Sequence, residues 1–261
     1  MRPTVPIQVW GRRILCAFLH QMGAVDRLMM EEMEISLLQM MENAGRALAA
    51  QARQLLGGDA RSQRIVVLAG RGGNGGGGLA AARRLAIWGA DVSVILGQET
   101  EEMQGVPAHQ LAILGHIGVP AHGPGQAGSA ESSLRSADLI LDALIGYSLR
   151  GAPREPIASL IRAANAAGPR LLALDIPSGL DGDTGAAADP TIRATATLTL
   201  ALPKAGLVHP AARAWVGELY VADISVPEQV YSRLGLRVGP LFARADIVPV
   251  TLGDDAEEDA G

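Results

Sequence analysis

Cysteine is almost absent. Cys16 is the one thiol in the chain, so no internal disulfide can form, and a reducing compartment, the cytoplasm, is the expected setting. Aromatic residues make up only 3% of the sequence, so a core has to be built from Ala, Leu, Ile, Val and Met. Small aliphatic side chains of this kind suit helices packed closely on a parallel sheet. Positive charge is not in excess: the net charge of −5 gives no electrostatic case for a nucleic-acid or anionic-membrane partner. No apolar run reaches the roughly 18–20 residues that span a bilayer. A zinc site is also disfavoured, since there is no cysteine cluster and His20, His109, His116, His122 and His209 are scattered.

What is present is apolar and rich in glycine: 48% hydrophobic residues and 32 glycines without a collagen-like period. Residues 1–21 read as an N-terminal arm whose apolar run, Ile14–Leu19, is short for a signal core and has no clear cleavage site after it. Met22 to Leu56 has helical periodicity, divided by Ser36 as a helix cap and ended by Gly57–Gly58. After it, short apolar strands alternate with amphipathic stretches. The strands are expected at Arg64–Ala69, Asp91–Leu96, Leu139–Leu144, Leu171–Ile176, Thr195–Leu200 and Glu218–Ile224. Helices are expected at Leu79–Gly89, Val106–Leu114 and Pro156–Ala167. The pattern predicts an α/β fold, a three-layer α/β/α sandwich around a mostly parallel, Rossmann-like sheet. It occupies residues 22–240 as one domain, and residues 241–261 read as an acidic, disordered tail.

Ligands of open parallel sheets bind beyond the carboxyl ends of the strands. Three unusual segments fall at such ends. The first, Gly70–Gly78, has glycine at seven of nine positions and reads as a loop that lets backbone N–H groups approach an anion. It satisfies GxGxxG only because almost any glycine pattern fits it, and the second strand lacks the terminal acid of a dinucleotide dehydrogenase, Glu99 being too far along. The second segment follows Asp142, and the third runs Asp175-Ile-Pro-Ser-Gly-Leu-Asp181. A carboxylate ending a buried strand has to be solvated, hydrogen-bonded or paired. Asn74, Asp142 and Ser178 are hard oxygen donors suited to an alkali or alkaline-earth cation. Asp181 and Asp183 read as turn formers. Arg150 and Arg154 are available to a phosphate or to solvent.

Several strings carry a family likeness: Met41-Glu-Asn-Ala-Gly-Arg46, the glycine stretch, Asp142-Ala-Leu-Ile-Gly146 and the segment from Asp175 to Asp181. Leu200-Ala-Leu-Pro-Lys-Ala-Gly206 and Gly217-Glu-Leu-Tyr-Val-Ala-Asp-Ile224 continue it. From about Met22 to Pro227 the chain resembles the NAD(P)H-hydrate epimerase family, also called the YjeF N-terminal domain. The resemblance implies an isomerase that interconverts the R and S epimers of NADHX and NADPHX in nicotinamide cofactor repair. It implies a homodimer that works with a separate NAD(P)H-hydrate dehydratase. It also implies a potassium ion held by Asn74, Asp142 and Ser178. Substrate contacts would come from Gly73, Asn74, Gly75, Gly76 and Gly77, from Gly146, Tyr147, Ser148, Leu149, Arg150, Gly151 and Ala152, and from Asp175. Asp175 is the first candidate for proton transfer and Asp142 the second. One stretch departs from the family's usual GNNGGDG: Gly73 and Gly77 stand where an asparagine and an aspartate are common. That departure opens a second reading, a catalytically impaired member serving as a nucleotide-binding or protein-interaction scaffold.

Overall fold

The computed structural model describes residues 7–9, 12–14, 16–124 and 130–252. Its centre is an eight-stranded sheet. In chain order the strands are β3 (Arg64–Ala69), β4 (Asp91–Leu96), β5 (Ala121–His122), β6 (Leu139–Ala143), β7 (Arg170–Leu174), β8 (Ala196–Leu200), β9 (Glu218–Ala222) and β10 (Ile247–Pro249). Their spatial order is β10-β9-β8-β7-β6-β3-β4-β5. All pairs are parallel except β10 with β9. Two short N-terminal strands, β1 (Ile7–Val9) and β2 (Arg12–Ile14), form a separate small sheet with β11 (Thr251–Leu252).

The strands are apolar throughout because both faces of the sheet are covered. On β3, Ile65, Val67 and Ala69 pack into one core cluster, with Leu48, Leu79 and Leu85. Val66 and Leu68 pack into another on the opposite face, with Leu160, Ile161 and Ala164. The first face is covered by α2 (Leu37–Leu55), α3 (Gly73–Ile87) and α4 (Gly105–His116), and the second by α5 (Ala130–Ser136) and α6 (Ile157–Ala167). Toward the other end, α1 (Leu19–Glu31) buries Met22, Val25 and Met29 with Val221 and Ile224. The expected cap at Ser36 is present: its Oγ accepts from the Gln39 N–H at 3.3 Å while Gln39 Oε1 accepts from the Ser36 N–H at 2.8 Å.

The glycine stretch corrects the sequence reading. It is not a loop as far as Gly78 with a helix from Leu79; the helix begins at Gly73, with Gly72 as its cap. Five of its first six residues are glycine, which would ordinarily make this a poor helix. Packing overrides the propensity. A Cβ on Gly76 would lie 2.3 Å from Met41 Sδ, and one on Gly78 would lie 2.5 Å from Ala143 Cβ. Gly45 makes the reciprocal approach from α2, where a Cβ would meet Ala80 Cβ at 2.5 Å. The glycines bring α3 down onto both α2 and the sheet.

The boundaries expected at 21 and 240 also shift. Ala17 is buried and bridges to Lys204, so the N-terminal segment joins the domain before α1 begins. At the other end β10 adds an antiparallel edge strand, with Val248 opposite Val221, within the stretch expected to be disordered. The acidic part of that tail, 253–261, and residues 1–6, 10, 11 and 15 of the arm lie outside the described residues.

Candidate functional site

β3 and β6 are neighbours, yet the chain leaves β3 for α3 on one face and leaves β6 toward α6 on the other. Such a reversal opens a crevice at the strand ends. A cavity of about 910 Å³ fills it. Of the expected substrate contacts, Gly73, Asn74, Gly146, Tyr147, Ser148, Leu149, Arg150, Ala152 and Asp175 line this cavity. Gly75, Gly76 and Gly77 do not; they are buried in the first turns of α3. A Cβ on Gly77 would lie 3.0 Å from Leu174 Cδ2 and 3.4 Å from Ala44 Cβ, so the position faces packed side chains. Gly151 is exposed with φ 73° and lies outside the lining. Arg71 and Arg154 border the cavity with Arg150.

Asp142 and Ser178 sit together beneath the cavity floor. Asp142, at the end of β6 and opposite Ala173 on β7, is fully buried. Its carboxylate accepts from the Ser178 N–H at 2.8 Å, the Ser178 hydroxyl at 2.7 Å and the Leu144 N–H at 3.2 Å. Ser178 Oγ in turn accepts from the Ile145 N–H at 2.9 Å. Burial pushes the Asp142 carboxyl up to about 6, against the opposing pull of these hydrogen bonds. Among the described residues, no cationic side chain pairs with it. Asn74 lies above, its Nδ2 donating to the Leu174 carbonyl at 3.1 Å and its Oδ1 beside Gly146.

Asp175 occupies the residue after β7 in the left-handed region, φ 67°, an unusual conformation that turns the chain sharply off the sheet. It faces the cavity but is only 3% exposed. A short ion pair joins it to Lys204, itself 1% exposed. Lys204 Nζ also donates to Thr199 Oγ1 at 3.1 Å and to the Leu200 carbonyl at 2.9 Å. Sequence reasoning did not single out Lys204. Its signal was there, a lone lysine between apolar residues just beyond a strand. The backbone of this lysine is clamped by the N-terminal segment: the Ala17 N–H donates to Pro203 O at 2.8 Å and the Ala205 N–H to Ala17 O at 3.0 Å.

A second carboxylate, also missed, reaches the cavity from α1. Asp26 lines it, and Asp26 Oδ2 accepts a 2.6 Å hydrogen bond from the Tyr147 hydroxyl. Burial raises the Asp26 carboxyl, the Tyr147 bond lowers it, and the charges of Asp175 and Lys204 are close enough to act on it in opposite directions, with a net rise. Asp183 Oδ1 anchors the helix carrying Asp26 by accepting from the Leu19 N–H at 2.7 Å. Asp181 makes the expected turn, accepting from the Asp183 and Thr184 N–H groups at 3.0 and 2.8 Å. No group of three or more His, Cys, Asp or Glu residues suited to a metal is found among the described residues. The cavity thus offers a partly apolar cleft with a buried carboxylate, proton-carrying groups on two walls and arginines at its edge.

Comparison with known proteins identifies the family and the fold. The family model described as the YjeF-related protein N-terminus matches residues 37–206. A protein of Dehalogenimonas lykanthroporepellens named NAD(P)H-hydrate epimerase is 44% identical over 216 residues, covering 83% of this chain and 84% of that protein. A Rhodopirellula baltica protein of the same name is 36% identical over 203 residues, covering 78% and 81%. The bifunctional NAD(P)H-hydrate repair enzyme Nnr of Moorella thermoacetica is 37% identical over 213 residues, 80% of this chain but 40% of that longer protein. The crystal structure of yeast ynu0, YNL200c, has the same fold: TM-score 0.78 at 23% identity, over 90% of this chain and 99% of that one.

Proposed function

The chain belongs to the YjeF-related N-terminal family, and from that premise we propose that it is an NAD(P)H-hydrate epimerase, an isomerase acting on NADHX and NADPHX. The observation that carries the reading is Asp175, which lines the cavity at the strand ends while ion-paired to the buried Lys204. The hydrated ring carbon bears a hydroxyl beside the ring nitrogen. Its C–O bond breaks, the electron pair leaves on the hydroxyl oxygen with a proton, and the nitrogen lone pair forms an iminium. Water then adds to the other face and loses a proton, giving the opposite epimer. Asp175 is suited to steady the cationic ring and to take the proton of the incoming water, since its carboxylate is buried and pre-positioned. Gly73 and Asn74 on one side and the segment from Gly146 to Ala152 on the other would hold the dinucleotide, with arginines at the rim for its phosphates.

The reading extends to a potassium ion. Asn74 Oδ1, the Asp142 carboxylate and Ser178 Oγ are hard oxygen donors around one strand end, and the buried charge of Asp142 has no cationic side chain beside it among the described residues. When bound, the ion would offset that charge and stiffen the floor beneath the substrate. A homodimer, a dehydratase acting on the S epimer and a cytoplasmic setting complete the proposal. Among the described residues, no helix is long and apolar enough to cross a membrane.

The test is to incubate the protein with (R)-NADHX and an S-specific dehydratase and follow the recovery of NADH. Recovery well above the spontaneous rate is expected, and a rate equal to it would overturn the assignment. For the ion, thermal melting in potassium against tetramethylammonium buffer should show a higher Tm in potassium, and no difference would count against it.

A further inference from the structure

Of the acids that border the cavity, Glu155 is engaged elsewhere: it accepts from the Ser159 N–H at 3.0 Å and from Arg162 at 3.0 Å. Glu102 lies on a short, exposed 3-10 turn. Asp175 is tied to Lys204. Asp26 differs from all three. It comes from α1, a different wall from the strand ends that carry Asp175, and it is half-buried. One carboxylate oxygen, Oδ2, takes the Tyr147 hydroxyl at 2.6 Å, while Oδ1 makes no hydrogen bond among the described residues. Asp26 and Tyr147 both feel the charge of Asp175, so all these groups share one electrostatic environment.

We propose that Asp26 is a second proton-transferring residue of the cavity, giving a proton from Oδ1 to the departing hydroxyl while Tyr147 supports the carboxylate left behind. The inference rests on the epimerase reading and adds the acid that Asp175 alone cannot supply. Two carboxyl groups in one site take opposite roles when their surroundings differ. Asp175 has a fixed cation as its partner. Asp26 has a neutral phenol, and burial favours its protonated form.

The step balances. The C–O electron pair goes to the hydroxyl oxygen, which takes the Asp26 proton and leaves as water, and the ring nitrogen's lone pair makes the iminium. Water attacking the other face gives its proton to Asp175, and exchange with solvent restores both carboxyl groups. Tyr147 is a positioning residue in this scheme. Its hydroxyl keeps the Asp26 carboxyl turned so that Oδ1 is the free oxygen, and its bond strengthens as charge develops on Asp26.

The coupled assay with (R)-NADHX tests the assignment on wild type, D26N, D26E and Y147F. D26N should lower kcat by about 100-fold or more with little change in KM, since a general acid acts only on the chemical step. D26E, which keeps an acid, should retain clearly more activity than D26N. Y147F should lose about tenfold in kcat, the worth of one hydrogen bond to a charged group. An acid must be protonated to act, so wild-type kcat should fall as pH rises through the Asp26 titration, and that limb should be missing in D26N. The groups facing Asp26 that titrate or carry charge are Tyr147, Asp175 and Lys204, and none of them is altered in D26N. Melting curves establish that each variant is folded. An active wild type with D26N at the same kcat, or D26N and D26E equally impaired, would overturn the inference alone. A wild type without epimerase activity would overturn the reading and the inference together.

Discussion

Two aspartates stand at the ends of neighbouring strands, one residue type in nearly the same local setting, and the fold gives them opposite surroundings. Asp142 stays within the ladder of β6, fully buried, with its oxygens met by the N–H of Leu144 and by the N–H and hydroxyl of Ser178. Asp175 leaves its strand with φ 67°, so its carboxylate turns toward the cavity and meets the Lys204 ammonium. Position at a strand end therefore does not decide what a carboxylate does. The partners decide: neutral donors hold Asp142 in the buried interior, and a buried cation holds the Asp175 carboxylate at the cavity wall.

Substitutions can break this contrast. Asp175→Asn should have the largest effect, lowering kcat by about 10²–10⁴-fold in the coupled epimerase assay, the usual worth of a positioned proton-transfer group. Lys204→Met comes next. It leaves the Asp175 charge buried without its partner and should destabilise the fold by about 3–5 kcal/mol, measured by urea unfolding. Asp142→Asn directs an amide donor at groups that already donate, and should cost about 1–3 kcal/mol in the same measurement. Its kcat should fall less than that of Asp175→Asn; an equal fall at unchanged stability would erase the distinction. Ser178→Ala removes the hydroxyl donor but keeps the N–H, and a loss of about 1 kcal/mol is expected.

How far the sequence discloses this arrangement depends on whether the relevant forces are local. β3 and β4 are legible to the residue because each is a short run of mostly buried, β-branched and aliphatic residues, unbroken in β3 and interrupted only by Ser93 in β4. Asp142 and Asp175 are legible as charges that interrupt such runs. The glycine stretch misleads because glycine ordinarily marks loops, whereas here the missing side chains serve the approach of α2 to α3, which only the packed structure reveals. Lys204 lies 29 residues from Asp175 and Asp26 lies 121 from Tyr147, so no periodicity links either pair. β10 was hidden because an edge strand of three residues leaves little pattern to read.

The glycine-laden start of α3 has a consequence for how the molecule opens. A segment with so many glycines has almost no tendency to be helical by itself, since each costs about 1 kcal/mol relative to alanine. Its first turns exist because Met41, Ala44 and Leu174 enclose them. The amides at the cleft's edge are thus held by the central packing of the domain and not by a loop that opens separately. Amide hydrogen exchange at Gly75–Gly78 should follow the exchange of the central strands, slow under native conditions and lost together on denaturation. On that expectation, the start of α3 opens as one foldon with the core.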